Sequence, residues 1–170
     1  RNPLKATSYG TGELIRHAVE HGCRDIVLGL GGSCTNDAGT GCAAALGVRF
    51  FDAKGTCFIP TGATMINITS YDASAAQELL AGCTVTAMCD IDNPMYGPTG
   101  ASHVFGPQKG ADPEMVLFLD EGIKNLCEVI EKDKGVDLSR VPGGGAAGAM
   151  GAGMIAFFDS RLQMGIQTVL

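Results

Sequence analysis

The chain has 170 residues, 45% of them hydrophobic and 18% charged, which excludes a disordered segment and supplies enough apolar residues for one core without disulfides or metals. Twelve Lys and Arg against eighteen Asp and Glu give a net charge of −6 with no basic run, so a polyanionic nucleic acid is not an expected partner. No apolar run approaches the roughly 20 residues that cross a bilayer, and a soluble globular domain is expected, with 25 glycines to be explained as turns or as backbone lying close to a ligand.

Leu14, Ile15, Ala18 and Val19 recur at helical spacing after Gly12, and Gly22 supplies a stop, which predicts a first helix. Asp25 to Leu30 is a short apolar run suited to a strand buried on both faces, followed at once by Gly31-Gly32-Ser33. A second helix is expected from about Asp37 through Ala43-Ala44-Ala45 to Gly47. Val48 to Phe51 and Thr56 to Ile59 flank Asp52-Ala53-Lys54-Gly55, a hairpin signature that argues against an all-parallel sheet. Ser74 is expected to cap a short helix ending at Leu80, and Cys83 to Cys89 reads as a second buried strand.

Between Pro94 and Asp112 stand Gly97, Pro98, Gly100, Gly106, Pro107 and Gly110, too many breakers for regular structure, so a long functional loop is predicted. Asp112 then caps the clearest helix, with Pro113 at its first position, an apolar stripe from Met115 through Val116, Leu119, Ile123, Leu126 and Cys127 to Ile130, and Gly135 as its stop. A glycine cluster from Gly143 to Gly153 opens a last helix ending in Phe157-Phe158, and Ile166 to Leu170 reads as a strand without an exit. The fold class expected is α/β, a mixed sheet with flanking helices and glycine-rich loops at strand ends, in one domain over residues 1–170.

The seven cysteines, Cys23, Cys34, Cys42, Cys57, Cys83, Cys89 and Cys127, are odd in number, contain no C-x-x-C pair and sit mostly in apolar stretches. Buried reduced thiols are the simplest account, with a zinc or redox site as the competing one. Together with the polar opening Arg1-Asn2-Pro3-Leu4-Lys5, they point to the cytoplasm.

Three constellations can carry chemistry. Gly31, Gly32, Ser33, Thr35, Asn36 and Asp37 lie at a strand-to-helix junction, where glycines let backbone N–H groups approach an anion and hydroxyl and amide groups add donors, so a phosphate or carboxylate is expected. Asp37 is either a base or metal-bridging carboxylate, or simply a helix N-cap. Asp90 and Asp92 follow the second buried strand and would share a side if that strand continues, either as Mg²⁺ ligands beside a phosphate or as a general base. An Asx turn before Pro94 is the structural alternative. Lys109, between Gly106 and Gly110, is a flexible cation suited to neutralising a phosphoryl or carboxylate group.

Standard nucleotide motifs are missing, since the chain contains no Gly-Lys dipeptide and hence no Walker loop. Gly143, Gly145 and Gly148 match G-x-G-x-x-G, but after Arg140-Val141-Pro142 rather than a clear strand. Close helix packing explains them equally well.

Taken in order, Thr7 to Glu13, Gly29 to Asp37, Cys89 to Pro94, Phe105 to Ala111 and Pro142 to Gly148 resemble the bacterial glycerate kinases of the first type over the whole chain. That resemblance implies the middle, inserted domain of a two-domain α/β protein whose flanking segments are absent here, with the first domain of the same polypeptide as a partner. It implies ATP-dependent, Mg²⁺-assisted phosphorylation of a hydroxyl of D-glycerate, and weak or no turnover by these residues alone. It places Ser33, Thr35, Asn36 and Asp37 at a cleft, Asp90 and Asp92 beside substrate or metal, Lys109 on a phosphate or carboxylate, and Gly143, Gly144 and Gly145 among the ligand loops. A non-catalytic module that binds a small hydroxy acid or a nucleotide is the alternative, and an exposed domain face would allow self-association.

Overall fold

The structure is a computed structural model that describes residues 1–163 and 165. Helix α1 (Tyr9–Glu20) buries Gly12, Ile15 and Val19 and leaves Leu14 exposed. It packs so closely on α2 (Thr40–Leu46) that a methyl group at Gly12 would stand 2.3 Å from the Cys42 carbonyl oxygen. Strand β1 (Asp25–Gly29) runs between them in sequence. A hairpin of β2 (Arg49–Phe51) and β3 (Cys57–Phe58) follows, turning through the four residues that signalled it and Thr56.

Two elements in the next stretch carry no clear sequence signal, a 3-10 turn at Met65–Asn67 and strand β4 (Ser70–Asp72). Helix α3 (Ser74–Leu79) then leads to β5 (Thr84–Met88). Ser74 is the first residue of α3 rather than its cap, and its N–H donates to Asp72 Oδ1 at 2.9 Å.

Parallel and antiparallel pairing both occur, in two separate sheets. The strands β1, β5 and β6 (Arg161–Gln163) form a parallel sheet in that order, pairing Asp25 with Thr84 and Thr86 with Arg161. The strands β3, β2 and β4 form the antiparallel one. Because β1 is an edge strand among the described residues, it is not buried on both faces as its apolar run suggests, and Val27 is 54% exposed.

The segment expected to lack regular structure contains helix α4 (Ala101–Phe105) and a 3-10 turn at Pro107–Lys109. Its breakers sit at the ends of these short elements, where they do no harm, and Ala101 and Ser102 are fully buried. Helix α5 (Pro113–Lys134) matches its forecast, with Asp112 Oδ1 accepting the Met115 N–H at 2.8 Å and Val116, Leu119, Ile123, Leu126 and Ile130 buried on one face. Each such side chain contributes about 1.5–3 kcal/mol through burial. Helix α6 (Ala146–Phe158) is apolar all round and correspondingly buried, at the centre of the core. The strand expected over Ile166 to Leu170 lies outside the described residues.

Candidate active site

All three parallel strands end on one edge of the sheet, at Gly29, Met88 and Gln163, the side on which open α/β sheets bind ligands. The glycine-rich loop after β1, the acidic loop after β5, the 3-10 turn at Lys109 and the start of α6 converge there. Between them lies a cavity of about 180 Å³ lined by Gly31, Gly32, Ser33, Lys109, Ala147 and Gly148, with Leu30, Ile91, Phe105, Gln108 and Ala146 completing its wall.

The loop after β1 offers donors. The Leu30 N–H still belongs to the sheet, donating to the Met88 carbonyl at 2.8 Å. The backbone N–H groups of Gly31, Gly32, Ser33 and Cys34 have no acceptor among the described residues. The Ser33 hydroxyl is likewise buried without a partner. Gly31, Gly32 and Ser33 line the cavity, and unpaired N–H groups with an orphaned hydroxyl form an arrangement that an anion completes.

Lys109 stands against this loop. It is not the flexible cation that its glycine neighbours suggest, because it is only 4% exposed and its Nζ donates to the Thr35 carbonyl at 2.6 Å. Burial pulls its pKa below the usual lysine range, opposed by the nearby Cys34 and Asp37. A buried ammonium with one carbonyl partner retains donors and an unbalanced charge, which an anionic ligand would satisfy.

Other sequence-selected residues position this site from behind. Asp37 is fully buried, and its Oδ2 accepts both the Ser8 N–H and the Ser8 hydroxyl at 2.8 Å, while Oδ1 accepts the Gly39 N–H at 3.3 Å. Burial raises its pKa, against the lowering effect of those donors. The N-cap position of α2 is Gly39, with no side chain to cap the helix; Ser8 does so from a distance, its hydroxyl accepting the Cys42 N–H at 2.9 Å. Asp37 thus ties the residue preceding α1 to the first turn of α2. Asn36 is also fully buried and donates to the Ser102 hydroxyl at 3.0 Å.

The last glycine cluster divides in two. Gly143, Gly144 and Gly145 are buried, Gly143 against Cys89 and Leu162 at the end of the parallel sheet, with the Gly145 N–H donating to the Asn93 carbonyl at 2.9 Å. The cavity wall comes from Ala146, Ala147 and Gly148 instead. Ala147, Gly148 and Ala149 all have left-handed backbone, and so does Ala38, whose N–H donates to the Gly148 carbonyl at 2.9 Å. Such conformations cost an alanine of order 1–3 kcal/mol each and persist where surrounding contacts impose them. A methyl group at Gly148 would meet the Thr35 carbonyl oxygen at 2.1 Å.

The acidic pair lies at the rim. Strand β5 ends at Met88, so Asp90 and Asp92 are not alternate residues of one strand. Both are exposed; Asp90 Oδ1 accepts the Gly165 N–H at 2.9 Å, while Asp92 has no partner among the described residues. No three His, Cys, Asp or Glu side chains come together as a metal site among the described residues.

A larger cavity of about 290 Å³ opens at the other end of the same strands, lined in part by Gln77, Thr84, Phe157 and Arg161. None of the glycine-rich loops reaches it. No helix among the described residues is long and apolar enough to cross a membrane, and the seven cysteines are free thiols.

The model of the glycerate kinase family matches residues 1–170. The chain is 49% identical to the glycerate kinase of Bacillus cereus over 170 residues, covering all of this chain and 45% of that protein. It is 44% identical to the glycerate 2-kinase of Escherichia coli strain K12 over 169 residues, 99% of this chain and 44% of that one. The crystal structure of a protein from Salmonella typhimurium LT2 described as a putative glycerate kinase 2 superposes with a TM-score of 0.95 at 47% identity, covering 99% of this chain and 45% of the other. The chain therefore spans a little under half the length of these relatives.

Proposed function

The chain belongs to the glycerate kinase family, and we propose that it forms one α/β domain of a kinase that transfers a phosphoryl group from ATP to a hydroxyl of D-glycerate, with the rest of the polypeptide completing the site. The observation that carries this reading is the cavity at the carboxyl ends of the parallel strands, lined by the buried Lys109 and by Gly31, Gly32 and Ser33, whose N–H groups have no acceptor among the described residues. Phosphoryl transfer consists mainly of positioning and charge neutralisation, and these groups supply both.

In this reading Lys109 offsets negative charge on the bound acid or phosphate, and the Gly31 to Cys34 N–H groups fix its orientation. Leu30, Ile91 and Phe105 exclude water from one side of the bound molecule. Asp37, Thr35 and Asn36 hold the loop in place through Ser8, Lys109 and Ser102. Asp90 and Asp92 suit Mg²⁺, which takes one or two carboxylates alongside phosphate oxygens and water, and Asp92 has an uncommitted carboxylate at the rim. Mg²⁺ held there would neutralise charge on the transferred phosphoryl group.

Free thiols accord with a reducing cytoplasm. With less than half of its relatives' length, this chain alone should turn over little. The test is a coupled assay of ATP-dependent D-glycerate phosphorylation by the complete kinase polypeptide and its Asp92→Asn variant. The wild type should phosphorylate glycerate and the variant should lose turnover. A wild type that binds glycerate without phosphorylating it would make the protein a binding module instead.

A further inference from the structure

We propose that the cavity at Lys109 and Ser33 holds the carboxylate end of the acceptor acid, and that the nucleotide's phosphates lie outside it. This rests on the kinase reading above and names the ligand of the same site.

Size is the first argument. The cavity's volume of about 180 Å³ lies below the about 300–1,000 Å³ typical for drug-sized ligands, so a three-carbon acid fits and a nucleoside triphosphate does not.

Charge is the second. Lys109 is the single cation among the residues that line the cavity, and its Nζ is already partly committed to the Thr35 carbonyl. One ammonium balances one carboxylate, whereas a polyphosphate brought into the same buried space would leave further charges unpaired.

Lining chemistry is the third. Leu30, Ile91 and Phe105 form an apolar wall suited to a short carbon skeleton and unsuited to a chain of phosphates. The orphaned Ser33 hydroxyl supplies a directional hydrogen bond beside the charge. Burial holds the Lys109 pKa below the usual lysine range, and an entering carboxylate would raise it again.

The experiment is steady-state kinetics of the complete kinase with Lys109→Met and, separately, Ser33→Ala. Lys109→Met should raise the KM for D-glycerate about 10- to 100-fold, the range for a hydrogen bond to a charged group, and leave the KM for ATP within about twofold. It should also erase the wild type's preference for D-glycerate over glycerol, which lacks the carboxylate. Ser33→Ala removes a hydroxyl that has no partner among the described residues, so folding is preserved and the same KM split should follow at smaller size. A rise in the KM for ATP with glycerate unaffected, in either variant, overturns the proposal and leaves the kinase reading intact. Unchanged KM values for both substrates overturn the proposal and remove the cavity from that reading. Absence of glycerate phosphorylation in the wild type overturns the kinase reading on which it rests.

Discussion

Replacing Ser8 by alanine should unfold this chain far more readily than its position ahead of the first helix suggests. The hydroxyl donates to Asp37 Oδ2 at 2.8 Å and accepts the Cys42 N–H at 2.9 Å, and Ser8 is only 4% exposed. Losing the bond to the buried carboxyl group costs about 1.5–3 kcal/mol if the group is charged, and leaving a buried N–H unsatisfied costs about 1–3 kcal/mol more. The backbone N–H of Ser8 keeps its own bond to Asp37, so the expected loss is about 2.5–6 kcal/mol. For a chain of this size that lowers Tm by roughly 5–24 °C. Urea unfolding followed by circular dichroism measures it, with the exposed Ser70→Ala as a control expected within about 0.5 kcal/mol of wild type. Ser8→Ala and Asp37→Asn should also be coupled in a double-mutant cycle by more than about 0.5 kcal/mol. A loss below about 1 kcal/mol with no coupling would refute the placement of Asp37 as the anchor between the start of α1 and α2.

Stability should also depend on pH through Asp37. Burial raises its folded pKa above the ordinary 3.8, so the folded state binds a proton that the unfolded chain releases. That contribution is complete below 3.8 and fades as pH rises through the raised value; Asp37→Asn should flatten this part of the stability profile in urea titrations across pH. Gly31→Ala meets no atom within 4 Å and needs no left-handed backbone. It should leave stability within about 0.5 kcal/mol while weakening anion binding through a methyl group at the cavity wall, as calorimetric titration would report. Among the thiols, the exposed Cys23 and Cys57 should react with a disulfide reagent in the native protein. Buried Cys42, whose pKa is pushed up to about 12 first by burial and then by Asp37, should react only after unfolding.

Where local chemistry and tertiary need coincide, the sequence was readable. Helix α5 carries its own cap at Asp112, its own proline start and its own apolar stripe, and the β2–β3 hairpin carries its turn. The loop after β1 announces itself because glycines follow directly on an apolar run. What stayed hidden depends on partners remote in the chain. Lys109 looks solvated between two glycines, and its burial comes from a carbonyl 74 residues earlier. Asp37 looks like a helix cap or a cleft carboxylate until Ser8, 29 residues before it, is seen to occupy it. Helix α4 defies its flanking breakers because Ser102 is held in the core by Asn36. The left-handed alanines at 38, 147 and 149 leave no sequence trace, since alanine by itself prefers other backbone and only the packing of the loop on α6 imposes theirs.

The most direct test of the site is a two-dimensional amide spectrum of this ¹⁵N-labelled chain titrated with D-glycerate. The account predicts saturable shifts centred on Gly31 to Cys34, Lys109, Ala147 and Gly148, lost in Lys109→Met. Shifts centred instead on the cavity at Gln77, Thr84 and Arg161, or none at any residue up to high millimolar acid, would contradict it.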